Sequence, residues 1–133
     1  MNKIGYIFDL NDNIYYHNHQ EVCDLFAIKA TPRKTVTDID ISNSLWFPIM
    51  EGCKDKDWDN KITEAGDIIL SKYLKGITEL GKKKILVTFG KIKIHNNEKY
   101  KFLGVFVQTG KEKSYIKFKK IANSFIALPN SDV

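Results

Sequence analysis

Residues 99–121 of this chain read KYKFLGVFVQTGKEKSYIKFKKI. Lysines and apolar residues alternate in two runs, and the short polar segment TGKEK joins the runs. An alternation with a period of two is typical of a β-strand that has one face in water. The stretch therefore predicts two antiparallel strands connected by a turn.

The residues before this hairpin continue the pattern. KKILVTFGKIKI, residues 83–94, alternates with Ile85, Val87 and Phe89 on one face, and its apolar positions change phase after Gly90. A change of phase at a glycine indicates a β-bulge or a bend in the strand. HNNEK provides a turn and SFIALP a last short strand, so we expect the C-terminal half to be an antiparallel meander.

The N-terminal half has shorter patterns. KIGYIF, DLNDN and IYYH, residues 3–17, predict a strand, a turn and a strand, which we expect to form a hairpin. The following residues change to helical spacing, with Asn18 as the N-cap and Glu21 three positions later, until Pro32 ends the helix. Residues 35–51 predict two short strands, or one strand and a loop.

Residues 60–80 allow two interpretations. NKIT and IILSKY would form two strands around a turn at Gly66, whereas residues 68–80 also have apolar positions at helical spacing. Together the patterns predict an α+β fold, consisting of a mainly antiparallel β-sheet or a small open β-barrel with one or two short helices. A length of 133 residues without internal repeats or linkers predicts a single domain, residues 1–133, which is either a whole protein or the recognition domain of a longer one.

The charge distribution favours a polyanion as partner. The formal net charge is +5, and residues 1–66 have 7 basic and 11 acidic side chains, whereas residues 67–133 have 14 and 5. Lysine provides all basic residues except Arg33, so phosphate contacts rather than bidentate contacts to base edges would dominate binding to nucleic acid, with DNA favoured. The alternative is that strand lysines protect sheet edges against aggregation. The predicted phosphate-binding residues are Lys84, Lys91, Lys93, Lys99, Lys101, Lys117 and Lys119.

The thiols and histidines suggest no cofactor. Cys23 and Cys53 are two thiols in a chain without an apolar N-terminal signal, which indicates a reduced, cytoplasmic setting. His17 and His19 would add ligands of the kind that zinc prefers, but the spacing matches no strong zinc pattern, and solvated histidines with buried thiols are the interpretation we favour. No stretch approaches ~18 consecutive apolar residues, so we expect no membrane partner.

Three patterns resemble catalytic or metal sites. Gly5-Tyr6-Ile7 and Ile14-Tyr15-Tyr16 are similar to the half-motifs of the GIY-YIG nucleases, which would need Arg33 and Glu51 as further site residues, but the second half-motif lacks its glycine and a hairpin explains the same residues. Asp55, Asp57 and Asp59 begin like a calcium loop that then lacks its glycine and closing glutamate.

The third pattern would form a magnesium site. Glu51 and Asp59, with Asn60 and Lys61, offer two carboxylates and a lysine that could bind Mg²⁺ and activate water. Acids in a polar loop are usually solvated, so this small metal-dependent nuclease is an alternative rather than our first hypothesis.

Four segments together resemble a domain that accompanies bacterial restriction endonucleases. They are WDNKI (58–62), GDII (66–69), KKILVTF (83–89) and YKFLGVF (100–106). Such domains are similar in outline to the small β-barrels of the PUA-like superfamily, some of which bind modified bases in an aromatic pocket. In this chain Lys84 replaces the arginine that usually precedes the apolar strand.

The resemblance implies a pocket for a flipped base. Trp46, Phe47 and Trp58 would form its stacking walls, and Asp59 and Asn60 would form hydrogen bonds with the polar edge of the base. Trp46 and Phe47 fit the hydrophobic core equally well. Trp58 lies in an acidic segment that we expect to be a loop, and an indole there suggests a binding role.

These observations lead to one hypothesis and two alternatives. We expect a DNA-binding module without catalysis of its own, which recognises a modified base for a restriction or defence system and acts with a nuclease or motor domain or subunit. The first alternative is the metal-dependent nuclease with Glu51, Asp59 and Lys61. The second is a protein-interaction module, phage-encoded or defence-related, whose basic face binds an acidic protein surface.

Overall fold

The computed structural model describes residues 6–30, 35–54, 57–76 and 84–127. This part of the chain forms one short helix and ten strands. In chain order they are β1 (Tyr6–Asp9), β2 (Tyr15–Tyr16), α1 (His19–Leu25), β3 (Val36–Asp38), β4 (Asn43–Trp46), β5 (Trp58–Ile62), β6 (Ile68–Tyr73), β7 (Ile85–Ile94), β8 (Asn97–Glu112), β9 (Tyr115–Ala122) and β10 (Ser124–Ala127). No helix in these ranges is long and apolar enough to cross a membrane.

Most of the strands form one open, mixed sheet in the order β3-β4-β7-β8-β9-β6-β5. Strands β4 and β7 are parallel, and the other neighbours along this order are antiparallel. Strands β3 and β5 are therefore the two edges. The predicted α+β class, with a mainly antiparallel open sheet, is confirmed.

The predicted C-terminal meander is confirmed for β7, β8 and β9 but is wrong for the last strand, since β10 pairs with β1 in a separate two-stranded sheet. Strands β7, β8 and β9 pair consecutively, and the β7–β8 turn consists of His95 and Asn96, whose φ angles are 47° and 70°. Positive φ at both turn residues is typical of the type I′ turn, which matches the twist of the flanking strands. The second turn is shorter than TGKEK suggested, because β8 extends to Glu112 and only residues 113–114 lie between β8 and β9.

The predicted bulge exists, but its extra residue is on β8. Thr88 lies opposite Gly104 and Phe89 opposite Phe102, so Leu103 has no partner on β7. The φ of Gly104 is +119°, a conformation that favours glycine.

Gly90 has a packing reason of its own. A Cβ atom at this position would lie 2.4 Å from Cδ1 of Leu103 and 2.9 Å from Cγ of Met50. The side chain of the bulge residue therefore occupies the space above the glycine.

The predicted N-terminal hairpin is wrong, because β1 and β2 do not pair with each other. Strand β1 pairs with β10, and β2 pairs with β8. Phe8 of β1 is fully buried, and its ring lies 5.3 Å from that of Phe26 and 4.9 Å from that of Phe89. Long-range packing of this ring thus positions β1, rather than the Asn/Asp-rich turn that follows it.

The predicted helix is confirmed together with its N-cap, but it ends at Leu25, with Phe26 as its C-cap, well before Pro32. Asn18 Oδ1 accepts a hydrogen bond from the backbone N–H of Glu21 at 2.9 Å. The Glu21 carboxylate accepts in turn from the backbone N–H of His17 at 2.5 Å, which makes a variant of the capping box. Val22 and Cys23 are the buried residues of the helix.

Two ambiguities of the sequence are settled in favour of strands. Residues 36–38 and 43–46 form two short strands, and β5 and β6 pair around the turn at Gly66. The helical alternative for residues 68–80 is wrong for residues 68–73, and residues 77–80 lie outside the described ranges.

The sheet separates two hydrophobic core clusters. The first core cluster includes Phe8, Tyr16, Val22, Cys23, Phe26, Leu45, Phe47, Val87, Phe89, Tyr100, Phe102, Val105 and Ala127. The second core cluster consists of Trp46, Met50, Ile69, Phe106, Ile116 and Phe118. Helix α1 and strands β1 and β10 contribute to the first cluster, whereas β5 and β6 border the second.

Candidate functional site

A cleft lies where the two ends of the open sheet approach each other, between β3 and β4 on one side and β5 and β6 on the other. Its main part has a volume of about 350 Å³, and a chamber of about 30 Å³ shares several lining residues with it. Thr35, Trp46, Trp58 and Ser71 line both parts. The main volume lies within the roughly 300–1,000 Å³ that is typical of small-ligand sites.

Trp46 contributes to the cleft from the end of β4. Its side chain is 6% exposed and packs against Phe118, with the ring centroids 4.6 Å apart. Strand β4 has hydrogen-bonded neighbours on both sides, β3 and β7. The position of this indole is therefore well defined by its surroundings.

Trp58 contributes from the start of β5, at the opposite edge of the sheet. The segment that we expected to be a loop becomes a strand at this residue, and the ring packs against its cross-strand neighbour Tyr73, with centroids 5.0 Å apart. Trp58 is only half-buried, and β5 has β6 as its one neighbour in the sheet. The second aromatic wall is thus more accessible than the first.

Asn60 and Ser71 close the inner end of the cleft with polar groups. Ser71 Oγ donates to Asn60 Oδ1 at 2.5 Å, and Asn60 Nδ2 donates to the carbonyl of Ile49 at 3.1 Å. Both side chains are about 95% buried. The carboxamide has two Nδ2 hydrogens and the second is not used by these bonds, so it can donate to a ligand in the cleft.

Hydrogen bonds also connect the two sides of the cleft. The N–H of Glu51 donates to the carbonyl of Asn60 at 3.0 Å. This bond and the Asn60–Ile49 bond connect the residues after β4 to β5. Asn60 therefore both lines the cleft and helps to fix its width.

Phe47 lies away from the cleft. It is fully buried in the first core cluster, and its ring stacks on that of His19 with centroids 4.1 Å apart. Phe47 follows Trp46 directly, and adjacent residues of an extended chain point to opposite sides. The structure does not bring this predicted wall residue to the other two aromatic rings.

Asp59 also points away from Trp58 and Asn60, because successive residues of β5 alternate between its faces. Its Oδ2 accepts a hydrogen bond from the Tyr115 hydroxyl and lies 3.6 Å from Nζ of Lys61. The carboxylate is thus on the face of β5 that points away from the cleft.

The predicted phosphate-binding lysines do not share one face. Lys91 lies opposite Tyr100, a residue of the first core cluster, so Lys91 and Lys93 point to the side of that cluster. Lys99 and Lys101 flank Tyr100 and therefore point to the other side. Lys91 is also paired with Glu98, with Nζ 3.3 Å from the carboxylate.

Lys117 and Lys119 lie on the outer face of β9. They alternate with Ile116 and Phe118, which belong to the second core cluster on the inner face. We define the outer face of β5, β6 and β9 as the face opposite the second core cluster.

Lys84 is located at the mouth of the cleft. Its Nζ is 2.7 Å from Oδ1 of Asp38, and both side chains line the main part of the cleft. Asp38 Oδ1 also accepts from Ser44 Oγ at 2.8 Å. A lysine and a carboxylate thus meet any ligand at the entrance.

The predicted nuclease constellations are not assembled in the described residues. Glu51 follows β4 and is exposed, whereas Asp59 is on the outer face of β5. In the ranges that the structure describes, no three His, Cys, Asp or Glu side chains are grouped so that they could hold a metal ion. Gly5, Arg33 and Asp55 lie outside these ranges.

The histidine and cysteines of the zinc alternative have other contacts. His19 Nε2 is 2.9 Å from the Tyr100 hydroxyl, and burial, followed by the charge of Lys91, lowers the pKa of the imidazole. Burial raises the pKa of the Cys23 thiol to about 11, which disfavours the thiolate that metal binding requires. Cys53 Sγ donates to the carbonyl of Lys91 at 3.3 Å.

Sequence reasoning missed Ser71 and Asp38 as cleft residues. Ser71 faces Asn60 across the β5–β6 pair. Counting outward from the turn at Gly66 would have placed the two residues opposite each other. Asp38 offered no local signal, because its proximity to Lys84 results from the parallel pairing of β4 with β7.

Two of three comparisons with known proteins find a match. A family model described as SET and RING associated (SRA) domain matches residues 3–126. Among solved structures, the fold is similar to that of the 5-hydroxymethylcytosine-specific restriction enzyme AbaSI, with a TM-score of 0.74 and 22% sequence identity over 93% of this chain. The match covers 44% of AbaSI, so the chain spans less than half the length of that enzyme. A comparison with curated proteins finds no significant match.

Proposed function

Because the chain belongs to the SET and RING associated (SRA) domain family, we propose that it binds DNA and accommodates one modified base, flipped out of the duplex, in the cleft between Trp46 and Trp58. The observation on which this proposal rests is the pair of indoles on either side of a cleft whose inner end is formed by Asn60 and Ser71. Aromatic walls with polar groups at one end are the arrangement that binds an extruded base.

Stacking on the two walls would offset the cost of extruding the base. Stacking of a base on an aromatic side chain contributes about 1–3 kcal/mol, which is enough to offset the few kcal/mol that extrusion costs. The unused Nδ2 hydrogen of Asn60 would donate to an acceptor on the edge of the base, and Ser71 would hold the amide in the required orientation.

A modified cytosine is the base class that we propose. The similar enzyme AbaSI is named for specificity toward 5-hydroxymethylcytosine. The cleft of this chain offers a donor for the acceptors of the cytosine edge, and the chamber of about 30 Å³ offers room for a small substituent. A cavity of this size can hold about one water molecule, hence a group of comparable size.

We further propose that the chain serves as the recognition part of a restriction system and that a separate domain or subunit cleaves the DNA. The support is that AbaSI, a restriction enzyme, has more than half of its length outside the matching region. Both cysteines are free thiols, which agrees with action in the cytoplasm.

The test uses the intrinsic fluorescence of the protein, because the chain has two tryptophans and both line the cleft. Duplexes that contain cytosine, 5-methylcytosine or 5-hydroxymethylcytosine at one position are titrated into the protein. We expect modified duplexes to quench the fluorescence and to bind more tightly than the unmodified duplex. In Trp58→Ala the affinity for the preferred duplex should fall by about tenfold, as expected for the loss of one stacking contact.

Tyr15→Ala is the matched control, since this aromatic side chain is 39% exposed on β2 and lies outside the cleft. The control variant should bind like the wild type. Equal affinity for all three duplexes, or an equal loss in both variants, would contradict the proposed function.

A further inference from the structure

We propose that the outer face of β5, β6 and β9 is a second binding surface, specific for the phosphodiester backbone of DNA and separate from the cleft. The residues of this surface are Lys61, Lys72, Tyr115, Lys117 and Lys119. The inference extends the proposal that the chain binds DNA, but it does not depend on the recognition of a base in the cleft.

The strand register places these residues on one face. Lys61 lies opposite Leu70, which lies opposite Lys117 on the next strand. Ile68 lies opposite Lys119, so Lys117 and Lys119 of β9 are neighbours along one side of the same face. Three adjacent strands therefore contribute cations to one continuous surface.

Tyr115 lies among the lysines of this surface. Nζ of Lys61 is 5.4 Å from the centroid of the Tyr115 ring, and Nζ of Lys72 is 5.7 Å from it. These contacts hold two ammonium groups close together although they repel each other. Asp59, which accepts from the Tyr115 hydroxyl, compensates only part of the charge.

The charge is clearly positive on this surface. Lys61 is near Asp59, and Lys117 Nζ is 3.9 Å from Glu112 at the end of β8. Both lysines are substantially exposed, at 46% and 37% of their side-chain area. Asp67, a third carboxylate, interacts with Lys119. Exposed pairs of this kind are weak, so the four lysines outweigh the three carboxylates near them.

Protection of sheet edges does not explain these lysines. Lysine commonly protects exposed edge strands against pairing with other chains. Strands β6 and β9, however, are interior strands with hydrogen-bonded neighbours on both sides. Lys72, Lys117 and Lys119 are therefore located where that function is not needed.

The spacing fits a chain of phosphates. Lys117 and Lys119 are two residues apart on an extended strand, hence roughly 6.5–7 Å apart along it. Lysines at regular intervals bind successive phosphates by charge and release condensed counterions, which makes binding dependent on salt and independent of sequence. The outer surface thus suits a nucleic-acid backbone better than a single small anion.

The experiment compares two variants that remove the same charge from different parts of the protein. In Lys117→Gln/Lys119→Gln the outer surface loses two cations, whereas Lys29→Gln/Lys111→Gln removes two exposed cations that belong neither to this surface nor to the predicted phosphate-binding residues. Binding of an unmodified labelled duplex is measured by fluorescence anisotropy at several salt concentrations. For the outer-face variant we expect the slope of log K against log salt to decrease by ~1.8, which corresponds to two phosphate contacts, and for the control variant no change.

Two further measurements show whether the DNA backbone on the outer face belongs to the duplex in the cleft or to a second duplex. If the duplex whose base enters the cleft also covers the outer face, a longer modified duplex will bind more tightly than a short one, and only in proteins with Lys117 and Lys119 intact. If a second duplex binds there, energy transfer will appear between a modified and an unmodified duplex with different labels. Either result supports the surface.

The outer surface and the cleft can fail independently. The outer-face variant should keep the ratio of affinities for modified and unmodified duplexes within about twofold, since only backbone contacts are lost. A protein without any preference for modified bases would refute the cleft and leave the surface intact. An unchanged salt slope in the outer-face variant, or an equal decrease in both variants, would overturn the inference.

Discussion

At the scale of single residues, the cleft depends on side chains that also stabilise the fold. Asn60 uses one amide hydrogen and its oxygen to connect β6 and the segment after β4, and can offer the other hydrogen to a ligand. Trp58 and Asn60 were predictable from the sequence because they belong to one short segment. Asp59 was predicted beside them because the strand was mistaken for the end of a loop, and the alternation of a strand separates neighbours.

At Gly90 the neighbouring side chains leave no space for a Cβ atom. In Gly90→Ala the new Cβ would collide with Leu103 and Met50, so we expect a loss of about 1–3 kcal/mol in the free energy of unfolding, as is usual for overpacking. Urea denaturation measures this loss. The double variant Gly90→Ala/Leu103→Ala should lose less than the sum of the two single variants, and strict additivity would contradict the proposed collision.

His19 should make stability depend on pH below neutrality. Burial lowers its pKa in the folded protein, so between the ordinary value of about 6.5 and the lowered value the unfolded chain binds more protons than the folded one. Stability therefore decreases as the pH falls through this window. Urea midpoints measured from pH 7.5 down to pH 5 should fall in the wild type.

His19→Gln provides the comparison, because glutamine does not titrate. Its urea midpoint should change less over the same pH range. Asp40, Asp67 and Glu98 do not obscure this difference, because they lose the stabilisation that accompanies their lowered pKa values only at lower pH. Parallel curves for the two proteins would contradict the assignment to His19.

At the scale of elements, the sequence predicted those helices and strands whose structure depends on residues close together in the chain. The helix, its N-cap, the meander and the β5–β6 pair all follow from period and turn residues within a short stretch. The β1–β2 hairpin failed because two short strands with a good turn between them found better partners far away in the sequence, β10 and β8. The parallel β4–β7 pair, which helps to form the cleft, has no local signal either.

Helix α1 should depend strongly on its cap, because it has seven residues. In Asn18→Ala the backbone N–H of Glu21 loses its acceptor, and we expect a loss of about 1 kcal/mol in the free energy of unfolding. Asn18→Asp should retain most of the stability, since the carboxylate can accept the same bond. Equal losses in both variants, as measured by thermal or urea denaturation, would contradict the role of the cap.

At the scale of the whole molecule, one sheet connects the two core clusters. Strands β7 and β8 contribute to both: Val87 and Phe102 belong to the first cluster, Phe106 belongs to the second, and Leu86 packs against the second. Short sequence patterns could not predict which residues belong to which cluster, because the two clusters result from the order of seven strands in the sheet. The continuous sheet should make the two clusters unfold together.

This cooperativity is testable by comparing two spectroscopic signals during unfolding. Val22→Ala removes two methyl groups from the first cluster, where the side chain is fully buried, and should cost about 2 kcal/mol. Tryptophan fluorescence reports on the cleft near the second cluster, whereas circular dichroism reports on all elements. We expect both signals to shift to lower urea by the same amount, and separate transitions would contradict a single cooperative unit.

The pairing of β1 with β10 also determines when the molecule can be completed during its synthesis. Phe125 of β10 packs against Phe26, and Phe8 of β1 lies in the same cluster. The partner of residues 6–9 therefore leaves the ribosome only after residues 124–127 have been made. Until then one side of the first cluster lacks its cover, and the nascent chain must keep these rings from aggregating while the more than one hundred residues between the two strands are synthesised.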